Sequence, residues 1–472
     1  MNTTEIDARL LKDMGFAEGK ALGEALKYAK SNLGLMSLEL MVEQLDSVLD
    51  KPEEYISDEL LSKVALALVD EKSSDVVMMK DTHEGYKVYG ADYIEAGAIK
   101  QMEVAMKLPI SVAGALMPDA HQGYGLPIGG VLAVNNAVIP YGVGVDIGCR
   151  MALSIFDISE SFYLANENKF KRELIAFTKF GAGAGWHGNQ KAEHAVLESG
   201  LFNINPFIKN LHAKASEQLG TSGGGNHFVE WGIIEMLQDD VKLGVPKGKY
   251  LALLSHSGSR GFGATVAAHY TKLAKDICKL PDEAKNLAYL SLDSEQGQEY
   301  WLAMNLAGDY ASACHDVIHN RLAKAIGVTA LARVENHHNF AWKEQLNGQE
   351  VVVHRKGATP AGKDVLGIIP GSMTAPGFLV RGKGEVESIN SASHGAGRQM
   401  SRTQAIKTIR KTDWLEMLNE HGVTLIGAGL DEAPMAYKDI NKVMHAQGNL
   451  VDVLAKFTPK MVRMAEDGSR ED

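Results

Sequence analysis

The chain has 472 residues, room for two average domains or for one large enzyme domain with an appendage. Its 45% hydrophobic and 23% charged composition is that of a globular protein. No apolar run approaches the ~18 residues of a membrane span, and the N-terminus lacks a signal-peptide apolar core. Only three cysteines occur, Cys149, Cys278 and Cys314. That excludes a disulfide framework and makes a cytoplasmic location the expectation. A net charge of −11 excludes a uniformly basic nucleic-acid binder. The charge is unevenly spread, however. Residues 1–60 carry 13 acidic and 6 basic side chains, whereas residues 351–411 carry 10 Lys/Arg against 3 Asp/Glu. A basic segment inside an acidic chain suits a phosphate-rich ligand held at one place.

Residues 1–70 read as helical, with apolar positions at helical spacing in ALGEALKYAK and LELMVEQLDSVL. Pro52 marks a break before a further helix around Ser57–Val69. No chemistry is visible here, so residues 1–85 read as a helical extension, an interaction module for a protein partner. From about Met78 the texture changes to strand-like pieces, glycine turns and short helices, as in SVAGALMPDA, GGVLAVNNAVIP, KYLALLSHSGSRG and EVVVHRKG. Helical stretches are expected at Lys169–Thr178 and across Leu273–Ile326. Strands and helices do not alternate regularly, so residues 86–472 are expected to form one α+β (mixed α/β) catalytic domain.

Five segments concentrate ligand-type residues beside glycine. VGVDIGC holds Asp146 and Cys149, and GTSGGGNHFVEW holds Asn226, His227 and Glu230. LLSHSGSRGFG holds His256 and Arg260, ENHHNFAW holds His337, His338 and Asn339, and SASHGAGRQMSR holds His394, Arg398 and Arg402. Carboxylate, thiolate and several imidazoles are what a transition-metal site needs, and the mixture leaves Zn, Mn, Fe and Co open. Taken singly, a histidine is more often structural than a ligand. His227, His256 and His338 stand out because each sits where an apolar run meets a polar or glycine-rich loop. Glycine turns at Gly371–Met373 and in HGAGR could cradle phosphate, although neither is a Walker A loop.

At these residues the chain resembles the RtcB RNA ligases. The resemblance runs from about Val88 to the C-terminus through MPDAHQGYGLPIGG, VGVDIGC, GGGNHFVEW, HSGSRG, HHNFA, HRKGATPAG, PGSM, LVRGKG, SHGAGRQMSR and PMAYKDI, in family order. It implies stacked β-sheets flanked by helices around a central metal and nucleotide cleft. It implies joining of RNA 3′-phosphate or 2′,3′-cyclic phosphate ends to 5′-hydroxyl ends, in tRNA splicing or RNA repair, with GTP and two Mn²⁺ per subunit. His394 would be the nucleophile that carries GMP, with Asp119 of MPDAH beside it. Asp146, Cys149, His227, His256 and His338 would hold metal. Asn226, Phe228, Glu230, His338, Asn339, Ser372, His394, Gly395, Ala396, Gly397 and Tyr437 would bind the nucleotide. Arg260, Lys356, Arg398 and Arg402 would contact RNA phosphates.

The chain also departs from the family. The family's GSMGT-x-S-[YF] pattern is GSMTAPGF here. The family ends in Lys-Gly, with the lysine on the nucleotide, and an ungapped alignment puts Met464 there. The preferred reading is that the neighbouring Arg463 takes over. Two alternatives follow: a divergent paralogue that guanylylates or repairs RNA ends without being the main splicing ligase, and an inactive RNA-binding protein.

Overall fold

The computed structural model describes residues 6–17, 19–72 and 76–466. The chain divides into two compact units, Met1–Val77 and Met78–Asp472. Among the described residues, helical spacing of apolar residues gives the first unit four α-helices, Ala8–Met14, Lys20–Asn32, Leu38–Asp50 and Ser62–Lys72. Leu11, Ala25, Leu45, Val48 and Ala65 close over its small core, and the Asp7 and Ser37 side chains cap the first and third helices. The last helix starts at Ser62, later than the expected Ser57. The Asp58 carboxylate accepts from the N–H groups of Leu60 and Leu61 and holds a turn there. The division falls ahead of the expected boundary at residue 85. Lys80 already belongs to the second unit, donating from its N–H to Lys107 O and from Nζ to Ser111 O.

The second unit is the mixed α+β structure expected. In chain order its main strands are β1 (Lys87–Val88), β2 (Ser111–His121), β3 (Ile128–Val134), β4 (Arg150–Phe156), β5 (Phe228–Met236), β6 (Gly248–Ser257) and β7 (Ala330–His337). They continue with β8 (Asn339–Leu346), β9 (Gln349–Lys356), β10 (Leu366–Ile369), β11 (Gly377–Gly382), β12 (Thr424–Ala428) and β13 (Val451–Glu466). One sheet has the order β1-β2-β3-β9-β8. The larger sheet runs β10-β11-β13-β5-β6-β4-β7, with β12 added on β13. Its two end strands approach each other, where the Asn336 side chain on β7 accepts from the Ile368 N–H on β10 at 2.9 Å. The sheet is thereby curled into a nearly closed barrel.

Period-two alternation divides the strand residues between the two faces of this sheet. Met151, Leu153, Ala252, Leu254, Leu379 and Leu454 point into the curl. Val229, Trp231, Leu251 and Leu253 point out, against Phe170, Leu174, Ile318 and Leu322 of the helices Glu167–Phe177 and Glu295–Ile326. The stretch Leu273–Ile326, expected as helical throughout, is two helices, Arg260–Ile277 and Glu295–Ile326. Pro281 lies in the break, where a continuing helix would lack a donor. Among the described residues no helix is long and apolar enough to cross a membrane.

Candidate active site

The inner face of the larger sheet ends in a row of residues in register. Met151 on β4 lies opposite His256 on β6, His256 opposite Phe228 on β5, and Phe228 opposite Met464 on β13. The next row inward brings together Leu254, Glu230 and Val462. All seven line a cavity of about 490 Å³, within the range of small-molecule sites. The facing wall is built by Gly371–Met373, His394–Arg398, Arg402, Glu432 and Tyr437.

The ligand-type residues converge beside this cavity. Cys149 Sγ lies 3.1 Å from His256 Nε2 and 3.4 Å from His227 Nε2. His338 Nε2 lies 3.1 Å from His256 Nε2, and Asp146 Oδ2 lies 3.0 Å from His227 Nε2. His256 Nδ1 donates to Asn226 O at 3.0 Å, which leaves the Nε2 lone pair aimed at the cluster. Burial drives the His256 imidazole down to about 3 and His338 well below the ordinary range, so both rings are held neutral. Burial, with Asp146 adding to it, pushes the Cys149 thiol up, so a thiolate there needs a cation beside it. The Nδ1 atoms of His227 and His338 are buried without a partner. Imidazoles turned toward a thiol and a carboxylate, at the spacing of neighbouring ligands, fit a metal ion; Cys149, His227 and His256 could hold one.

His394 stands next to this cluster, its ring 5.0 Å from that of His338. The short strand Ser391–Ser393, paired with Ala358–Pro360, delivers it into the cavity. Asp119, near the end of β2 and fully buried, holds it there. One oxygen, Oδ2, accepts from His394 Nδ1 at 2.7 Å, from the His394 N–H at 3.0 Å and from the Gly395 N–H at 3.3 Å. Burial opposes ionisation of Asp119, yet these contacts, led by the His394 ring, keep its carboxyl below the ordinary value. Fixing the proton on Nδ1 leaves the His394 Nε2 lone pair free to attack. Gly397 is required beside it, because a Cβ there would meet Asp119 O at 2.2 Å and its φ is +73°. Asp119 is therefore a positioning residue for His394.

The remaining expected residues fall into two groups. Asn226, Phe228, Glu230, Ser372, Gly395, Ala396, Gly397 and Tyr437 all line the cavity, as do Lys356, Arg398 and Arg402. Burial pushes the Glu230 carboxyl well up, a cost that two N–H donors from a ligand would reverse. Arg398 Nη1 lies 3.4 Å from Glu432 Oε1, Arg402 Nη1 lies 2.7 Å from Asp431 Oδ2, and Arg402 and Tyr437 also contact Glu432.

Three residues are placed away from the roles expected of them. Arg260 is 1% exposed and binds Thr221 Oγ1 and Gly181 O, so it braces the glycine loop before β5 and is not open to an RNA phosphate. Asn339 does not line the cavity; its side chain accepts from the Gly357 N–H at 2.8 Å and donates to Asp146 O, tying the metal-side loop to β9. Arg463 cannot replace the missing lysine. It is one residue from Met464 and therefore on the outer face, where its guanidinium donates to Leu174 O, Ile175 O and Thr178 Oγ1 at the end of the helix Glu167–Phe177. Met464 alone faces the cavity, packed with Met373 and Trp414.

Glu432 escaped the sequence reading, although it organises Arg398, Arg402 and Tyr437. Its only signal was the acidic pair Asp431-Glu432 just before PMAYKDI, downstream of the basic segment 351–411. Lys438 of that motif also went unassigned; it donates to Ala120 O at 2.7 Å and so steadies the strand end that carries Asp119.

Comparison with known proteins agrees with this geometry. The family model described as tRNA-splicing ligase RtcB matches residues 101–465. The chain is 34% identical over 393 residues to RNA-splicing ligase RtcB of Escherichia coli (strain K12), covering 76% of this chain and 92% of that one. It is 31% identical over 434 residues to tRNA-splicing ligase RtcB of Nanoarchaeum equitans (strain Kin4-M), covering 77% and 90%. It is 28% identical over 436 residues to RNA-splicing ligase RtcB homolog 1 of Entamoeba dispar, covering 78% and 79%. With a match that spans most of the chain and includes every residue around His394 and the thiol–imidazole cluster, the chain belongs to the RtcB family.

Proposed function

We propose that the protein joins RNA 3′-phosphate or 2′,3′-cyclic phosphate ends to 5′-hydroxyl ends, using GTP through a guanylylated His394. The observation that carries this reading is the Asp119–His394 pair at 2.7 Å in the wall of a cavity shared with His338 and His256. His394 Nε2 attacks the α-phosphorus of GTP, an N–P bond forms and pyrophosphate leaves. Asp119 stabilises the positive charge that develops on the ring. The RNA 3′-phosphate then takes the guanylate from His394, and the 5′-hydroxyl displaces GMP from the activated end. A cyclic end is first opened by water to the 3′-phosphate. Asn226, Phe228, Glu230, Ser372, Gly395–Gly397 and Tyr437 would hold GTP, with the Glu230 carboxylate on the guanine N–H edge. Lys356, Arg398 and Arg402 would take RNA phosphates. Asp146, Cys149, His227, His256 and His338 would hold two manganese ions, which would supply Lewis-acid neutralisation at the attacked phosphorus. A thiolate ligand suits the reducing cytoplasm.

The test is incubation with α-labelled GTP and manganese. Wild-type protein should acquire acid-labile label and join a 3′-phosphate oligonucleotide to a 5′-hydroxyl one, and His394→Ala should do neither while keeping its melting temperature. A labelled His394→Ala protein refutes the assignment. Met464 at the place of the family's lysine favours a second reading, a paralogue that guanylylates RNA ends without completing joining. Accumulation of guanylate-capped 3′ ends without joined product would establish that version.

A further inference from the structure

Tyr124 combines a rigid backbone with an exposed ring at the cavity mouth. Its ring lines the cavity, yet the residue is 70% exposed. The turn beneath it is fastened on three sides. The Gln101 carboxamide donates to Gly123 O at 2.6 Å and accepts from the Gly123 N–H at 3.0 Å. Lys356 Nζ donates to Tyr124 O at 2.6 Å. Gly125, at φ +70°, packs so closely on Asn286 that a Cβ would stand 2.8 Å from its carbonyl oxygen. The neighbouring aromatic face is Tyr141, whose ring lies 6.5 Å from that of Tyr124. Two lysine amino groups attend Tyr141, Lys356 Nζ at 4.9 Å and Lys275 Nζ at 5.6 Å from the ring. Lys275 is itself held by Asn286 Oδ1 at 2.7 Å. An exposed aromatic on a fixed turn gains nothing for the fold. Rigid aromatic faces beside cations are what single-stranded nucleic acid stacks on.

We propose that Tyr124, backed by Tyr141, is the stacking platform for the terminal nucleobase of the RNA strand that bears the 3′-phosphate. This deepens the reading under Proposed function and rests on it. The choice of strand follows from connectivity. Lys356 holds the Tyr124 carbonyl, and the next residue, Gly357, is so near His394 that its Cβ would lie 3.2 Å from His394 Cε1. The platform thus stands one lysine side chain away from the residue that the 3′-phosphate must meet. Stacking on a ring face tolerates any base, so this site secures the end without reading its sequence.

The test uses the full chain with a 3′-phosphate oligonucleotide carrying 2-aminopurine at its last position. Binding should quench the fluorophore in wild type and in Tyr124→Trp. In Tyr124→Ala, which keeps the carbonyl that Lys356 needs, quenching should vanish and binding should weaken roughly 10- to 100-fold. An abasic last nucleotide should weaken wild type by a similar factor and leave Tyr124→Ala with no further loss. Equal binding by Tyr124→Ala and wild type overturns the platform, as does an abasic penalty that persists in the variant. Quenching of a 5′-hydroxyl strand instead overturns the choice of strand. Because the readout is binding, it stays separate from the guanylylation chemistry: absence of His394 labelling in wild type would defeat the proposed function whatever Tyr124 does.

Discussion

Asp119→Asn probes the geometry around His394 most directly. Asp119 Oδ2 accepts three N–H groups, from the His394 ring, the His394 backbone and Gly395, while Oδ1 is buried with no partner. An asparagine has two ways to sit there. With its carbonyl in the place of Oδ2, all three bonds persist with a neutral acceptor, and an amide NH₂ occupies the partnerless side. Each charge-assisted bond then drops from about 1.5–3 kcal/mol to about 0.5–1.5, so the ring bond alone loses about 1 kcal/mol, on the order of 5- to 10-fold in rate. With the amide turned round, NH₂ faces three donors, and the ring must move its proton to Nε2 to accept at Nδ1. The attacking lone pair is then lost, the kind of tautomer error that costs ~10⁴-fold in a serine protease triad. The three donors that meet Oδ2 select the first orientation, so a fall on the order of 5- to 10-fold is expected, and a fall near 10⁴-fold would show that the amide had turned round. The assay is the initial rate of His394 labelling by GTP at saturating manganese, with melting temperature as the folding control. A well-folded Asp119→Asn that labels within about twofold of wild type would refute the positioning argument.

Other outcomes follow from the same geometry. Met464→Lys should restore a cation to the nucleotide cavity and raise labelling at subsaturating GTP by on the order of 10-fold. Arg463→Ala should leave labelling unchanged but lower stability by about 1–3 kcal/mol, since it uncovers carbonyls at the end of the helix Glu167–Phe177; thermal melts and labelling rates separate the two. Cys149→Ala should lose bound metal after dialysis and reduce joining by more than the ~10- to 100-fold that an outer-shell change costs, as metal analysis and a joining assay would show. Burial brings Lys356 down from 10.5 to about 7, so between those values the unfolded chain binds more protons than the folded one, and the penalty, complete below pH 7, is relieved as pH rises. The melting temperature of Lys356→Met should therefore exceed that of wild type most at neutral pH, and the gap should narrow toward about pH 10; a gap that does not change with pH would contradict a buried, titrating lysine.

Sequence alone determined much of this protein. Helical spacing marked the N-terminal helices, and short apolar runs bounded by glycine and polar turns marked strands such as Ile128–Val134 and Gln349–Lys356, because these patterns are local. The ligand-type residues were legible because chemistry restricts them: few side-chain types other than thiolate, imidazole and carboxylate hold a transition metal, and Cys149, His227 and His256 sit at glycine-rich loop ends. What sequence could not supply was direction. Arg260 and Arg463 have the right charge in the right segments, yet one is sealed beneath a glycine loop and the other sits on the outer face of β13. A shift of one residue along a strand moves a side chain across the sheet, so the fate of Arg463 depended on the pairing of Met464 with Phe228, a contact between residues 236 positions apart. The roles of Asp119 and Glu432 were likewise decided by tertiary structure, since a buried carboxylate takes its meaning from the donors that folding brings to it: the His394 ring for one, and Arg398, Arg402 and Tyr437 for the other.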